Sequence, residues 1–118
     1  MNSYRDLKVW QNNQSLVKLV ARLLDTPSKK SDEIVLKQLF RSLTSIGANL
    51  AEGSEYYEGA EFQRYIKIAL ASAIESDYWL RTLLEINNDS VKELVPLNVE
   101  TIKMLKGLLK SIQQKRNS

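Results

Sequence analysis

The sequence predicts an all-α fold, an antiparallel up-down-up-down four-helix bundle, from three observations. Apolar residues recur at helical spacings along four stretches, a period that no strand produces. The breaks between those stretches are short and polar, as in Asp25-Thr26-Pro27-Ser28 and Asn87-Asn88-Asp89-Ser90, and short connections make sequence neighbours pack antiparallel. A chain of 118 residues, 43% hydrophobic and 26% charged, suits one globular domain with a single core, spanning residues 1–118.

The first helix is expected over residues 6–25. Trp10, Val17, Val20 and Leu24 recur along it, flanked by Val9, Leu16 and Leu23, with Asp6 as N-cap or first-turn acid. Asn13 falls on this apolar line, where it reads as a polar group bonded within the bundle or at its rim. The second helix is expected over residues 33–52. Leu36, Leu39, Leu43, Ile46 and Leu50 gather into one arc, with Phe40 and Gly47 at its edge. A glycine inside a helix costs about 1 kcal/mol against alanine, so Gly47 points to a close helix approach. Gly53 is expected to end the helix in the left-handed conformation. Arg41, Ser45, Asn49 and Glu52 gather on the side opposite the apolar arc. They read either as a solvated outer face or as a line where another helix or subunit comes close.

The loop from Ser54 to Ala60 is acidic and aromatic, with Glu55, Tyr56, Tyr57 and Glu58. Base stacking wants basic neighbours, so these residues suit packing at a bundle end or a subunit contact. The third helix is expected over residues 61–87. Phe62, Ile66, Ala69, Ala73, Leu80 and Leu83 make one seam, while Ile68, Ser72, Trp79 and Ile86 make a second that encloses Glu75. Leu70, Ile74 and Tyr78 lie on yet another side. A helix this apolar around its circumference sits centrally or buries a second face against another copy. Its small residues, Ala69, Ala71, Ser72 and Ala73, permit close backbone approach.

Glu75 and Asp77 point to different sides and cannot form a catalytic pair, so Glu75 is expected to bond Arg41 or Asn49. Ser90 and Glu93 form a possible capping box. The fourth helix is expected over residues 96–114, starting at Pro96 or Leu97 because proline would kink a helix already begun. Its apolar line runs through Val99, Ile102, Leu105, Leu109 and Ile112. Lys103, Lys106 and Lys110 share one face that leads to Lys115 and Arg116. That stripe reads as a solvated face or as an anion or nucleic-acid surface.

Composition excludes most site chemistries. With no cysteine there are no disulfides or thiolate metal sites, and with no histidine most hydrolase triads and zinc sites are ruled out. No catalytic residue, metal or cofactor is expected. No stretch approaches the roughly 20 apolar residues of a membrane span. The opening MNSYRDLKVW has charges where a signal peptide needs an apolar core, so a cytoplasmic protein is expected. The net charge of +3 divides into +1 over residues 1–60, −2 over 61–89 and +4 from 90 onward.

YRDLKVWQ, SIGANLAEGSE and EFQRYIKIALASAIESDYWLRTLL, with IKMLKGLLKSI near the end, together resemble the four-helix bundle proteins of the 23S rRNA intervening-sequence type. The similarity runs from Tyr4 to about Ile112. It implies a bundle that assembles as a ring, most often a homopentamer, encoded within ribosomal RNA insertions or standing alone in bacterial genomes. A related branch serves diversity-generating retroelements as an accessory protein that binds nucleic acid and the reverse transcriptase. The motif positions that carry over are Arg41, Ser45, Asn49, Glu52 and Gly53, with Phe62, Ala69, Glu75 and Trp79. All are expected to be structural or interfacial, as is Ser72 in the second seam. Many relatives have basic residues after the glycine stop, where this chain has Glu55 and Glu58.

Two functions follow as expectations. One is a non-enzymatic oligomeric module that binds RNA, DNA or a ribonucleoprotein through Lys103, Lys106, Lys110, Lys115 and Arg116. The other is a protein-binding scaffold whose second apolar face meets itself or a partner such as a reverse transcriptase.

Overall fold

Apolar side chains spaced to fall on one stripe per helix meet in a shared core. Val9, Leu16 and Val20 enter it from the first helix, Leu36 to Leu50 from the second, Phe62 to Leu83 from the third, and Leu94, Leu105 and Ile112 from the last. Each fully buried leucine or isoleucine contributes about 1.5–3 kcal/mol relative to exposure, enough in sum to oppose the entropy of ordering the chain. The computed structural model describes residues 3–56 and 59–117. Among them the α-helices are α1 (Lys8–Leu24), α2 (Lys30–Gly53), α3 (Ala60–Glu85) and α4 (Leu94–Asn117), joined through 3-10 turns at Tyr4–Asp6, Ser54–Tyr56 and Asp89–Val91. No strand occurs among the described residues. The long axis measures 51 Å, whereas 24 residues of helix span about 36 Å, so the helices are staggered lengthwise.

Three expected helix ends are corrected. Asp6 does not cap α1: it lies in the preceding 3-10 turn, whose own cap is Ser3 accepting from the Arg5 N–H, and Leu7 stands at the N-cap of α1 without a side-chain bond. Gly53 does not adopt the left-handed conformation, since no described glycine has positive φ. It is the last residue of α2, and a Cβ there would stand 2.6 Å from Tyr65 Cβ and 3.2 Å from the Phe62 ring. The glycine makes room for α3. The left-handed stop falls instead at Asn87 (φ 67°). There the Asn88 N–H donates to Leu83 O at 2.8 Å and the Asn87 N–H to Leu84 O, the bond pair of a Schellman motif.

The third correction is the start of α4. It begins at Leu94, two residues before Pro96. Proline causes no kink there because the first-turn N–H groups have no intrahelical acceptor in any case. The cap near Ser90 also differs from the expected box: Asn88 Oδ1 accepts from the Ser90 N–H and closes the 3-10 turn. At the other end α2 starts at Lys30, its first turn carrying Asp32 and Glu33 where the helix dipole favours acids. Of the acidic loop, Tyr57 and Glu58 lie outside the described residues, while Tyr56 stacks on Tyr65 of α3 at 6.0 Å between centroids.

Candidate nucleic-acid interface

The orientation of α4 is set by what it buries. Leu94, Asn98, Thr101, Leu105 and Ile112 face inward at successive spacings of mostly three and four. This line is turned from the expected one, because two of its members are polar. Asn98 Nδ2 donates to Ala73 O at 3.0 Å, and Asn12 of α1 donates to Thr101 Oγ1 at 2.7 Å. At about 100° per residue, the opposite side of the helix carries Lys103, Lys106 and Lys110, all exposed.

Among the described residues the ion pairs are Lys37–Glu33, Arg41–Glu75, Arg64–Glu61 and Arg81–Asp77, and none engages these three lysines. Arg116 does not join their line: its guanidinium donates to Gln63 Oε1 at 2.7 Å, tying the end of α4 to the start of α3. Lys115 is exposed in the last turns of the helix. No aromatic residue occurs from 90 onward. The face therefore offers positive charge without a platform on which bases could stack.

The Arg41–Ser45–Asn49–Glu52 line divides. Arg41, Ser45 and Asn49 run beside α3 of the same chain, and Glu52 is exposed. Arg41 pairs with Glu75, and the Trp79 indole N–H donates to the same carboxylate at 2.9 Å. One level along, Ser45 Oγ and Ser72 Oγ are 3.1 Å apart, with Asn49 Nδ2 donating to Ser45 O at 2.8 Å. Behind them Ser42 Oγ and Ser76 Oγ share a buried 2.7 Å hydrogen bond. This polar seam holds two helices together, and a chain without histidine supplies none to activate its serines. Trp79, half-buried against the core, belongs to it.

Gly47 serves the other side of α2, where a Cβ would stand 3.1 Å from Asn13 Oδ1 and 3.4 Å from Trp10 Nε1. Asn13 is fully buried, and neither of its amide atoms has a hydrogen-bond partner among the described residues. The resolved shifts in acidity are on the exposed surface. A hydrogen bond from Lys37, then its charge, holds the Glu33 carboxyl below its ordinary value, and Glu61 holds the Arg64 guanidinium above its own.

A second surface is apolar. Ala71, Ile74 and Tyr78 follow at helical spacing along α3, all exposed, with Ile74 at 52% and Tyr78 at 60%. Ile68 of the same helix and Ile86, at its C-cap, are exposed as well. Among the described residues, no helix is long and apolar enough to cross a membrane.

Sequence reasoning placed the lysines on one face and Asn13 on the apolar line, but missed the other polar members of the core. Asn98 and Thr101 were detectable only as the continuation of the Leu94, Leu105 and Ile112 spacing, and Ser42 and Ser76 only as short residues at facing positions.

A four-helix bundle with a polar seam inside it and a basic face outside it defines a class of small helical proteins. Within that class, residues 5–108 match the family described as 23S rRNA-intervening sequence protein, and the chain belongs to it. The chain is also similar to a solved structure, a protein with unknown function from the S23 ribosomal protein family from Bacteroides thetaiotaomicron VPI-5482. The identity is 27%, the TM-score 0.76, and the match covers 86% of this chain and 95% of that one. No curated protein matches.

Proposed function

We propose that this protein is a non-enzymatic oligomeric module of the cytoplasm that binds structured RNA, or a ribonucleoprotein, through the outward face of α4. The observation that carries this reading is the line of Lys103, Lys106 and Lys110, exposed and without a carboxylate partner among the described residues. Lysines held by a rigid helix make point contacts to phosphates, and release of the counterions supplies affinity. Lys115 extends the charge beyond this line, while Arg116 serves mainly to fasten the helix end.

The single domain is an up-down-up-down bundle. Support comes from the pairs that meet: Gly53 with Phe62, Ser45 with Ser72, and Ser42 with Ser76, so that positions fall along α2 as they rise along α3. The unit of function is a ring of copies, a homopentamer by family resemblance. The exposed apolar row of α3 favours self-association, since such a row in water is a contact surface waiting for a partner. The same row supports a second reading, a scaffold whose partner is a protein such as a retroelement reverse transcriptase.

Replacing Lys103, Lys106 and Lys110 together by glutamate tests the proposal. Retention of a structured RNA should be abolished at moderate salt with no fall in the melting temperature. Undiminished retention would reject α4 as the binding surface.

A further inference from the structure

Gly107 has no role inside its own subunit. The chain has four glycines, and the structure explains three of them. A Cβ at Gly53 or Gly47 would crowd a neighbouring helix, and Gly59 stands at the N-cap of α3. Gly107 lies in the middle of α4, thirteen residues after its start at Leu94 and ten before its end at Asn117. A Cβ there would meet nothing within 4 Å, and its φ is not positive. Glycine at such a site weakens the helix relative to almost any other residue, and no internal contact offsets that cost.

Its neighbours show what the missing side chain makes room for. Lys106 precedes it, Lys103 lies one turn before it and Lys110 one turn after, so Gly107 forms a depression framed by three cations that pair with no carboxylate among the described residues. A flexible lysine reaches across such a depression, and any ligand drawn to the charge can settle closer to the helix than a side chain would permit.

Building on the α4 reading above, we infer that Gly107 is the point of closest approach of a nucleic-acid duplex, whose phosphodiester backbone lies across the Lys103–Lys106–Lys110 face. The absence of aromatic residues from 90 onward favours a duplex, whose bases are already stacked, over single strands, which need aromatic platforms. A polyanion engages all three cations at once, and a contact with a second copy of this chain is the alternative outcome of the test.

The test uses the full chain with Gly107→Gln and Gly107→Ala, and measures binding to a labelled RNA duplex, a DNA duplex of the same sequence, and a single strand. Both substitutions improve helix propensity, so both should fold and raise the melting temperature by about 4 °C. Gln should weaken duplex binding roughly tenfold by holding phosphates away from the lysines. The slope of log affinity against log salt should stay unchanged, because no charge has been altered. The RNA and DNA arms distinguish which duplex is taken. Wild-type duplex affinity for Gly107→Gln would overturn the inference, as would a changed assembly mass with unchanged affinity, which would assign the glycine to a protein contact. The single strand binding as tightly as either duplex would also overturn it. The α4 reading itself fails separately, if Lys103, Lys106 and Lys110 changed together to Gln leave binding intact.

Discussion

Glu75 accepts hydrogen bonds from two directions, from Arg41 on the facing helix and from Trp79 one turn along its own. The pair to Arg41 is half open to solvent, where a charge pair is worth at most about 1 kcal/mol. Glu75→Ala should therefore lower stability by about 1 kcal/mol in a denaturant titration, the indole N–H losing its acceptor as well. Gly53→Ala should cost more. The added methyl would fall 2.6 Å from Tyr65 Cβ, and a main-chain-proximal atom cannot swing aside, so a loss of about 1–3 kcal/mol is expected. An unchanged midpoint for Gly53→Ala would show that α3 can shift away at no cost. Both residues stood out in the sequence, but for different reasons. The pairing of Glu75 was legible from its place in an apolar seam, whereas the clearance at Gly53 depends on Phe62 and Tyr65 of the next helix and leaves no local mark. Glycine after a helical stripe looks the same whether it ends the helix or admits a neighbour.

The helices differ in how openly their sequences declare them. The apolar arc of α2 and the first seam of α3 are built from large hydrophobic residues, and the period alone identifies them. In α4 the inward line includes Asn98 and Thr101, which hydrogen-bond to Ala73 O and to Asn12. The partners of these two side chains sit on other helices, so periodicity of hydrophobicity turned the expected face away from the real one. The lysine face was legible all the same, because Lys103, Lys106 and Lys110 recur at spacings of three and four and so share one side of the helix. Two substitutions separate the faces. Leu105→Ala removes a fully buried side chain and should cost about 2–5 kcal/mol. Lys106→Gln, on the exposed side, should leave the melting temperature where it was while weakening RNA binding. Equal thermal effects of the two would mean that α4 is rotated about its axis relative to the structure.

At the scale of the whole molecule, two outward surfaces differ in chemistry. The basic face lies on α4, and the exposed apolar row lies on α3, along Ala71, Ile74 and Tyr78. Trp79 is an ambiguous probe of assembly because its indole also bonds Glu75 within the subunit. Ile74→Glu with Tyr78→Glu is the sharper test: light scattering should report smaller assemblies with helical content retained. An unchanged mass would remove that row from any subunit contact. Assembly would multiply the α4 face, so a ligand spanning several copies gains from each additional engagement.

The most direct measurement is the affinity of the full chain for a structured RNA as a function of salt, beside the variant with Lys103, Lys106 and Lys110 changed to glutamine. Each lysine that neutralises a phosphate adds roughly 0.7–0.9 to the slope of log affinity against log salt. The natural chain should show a steep slope, and the variant should lose at least roughly 2 units of it. Identical slopes, or no binding even at low salt, would contradict an RNA-binding face on α4.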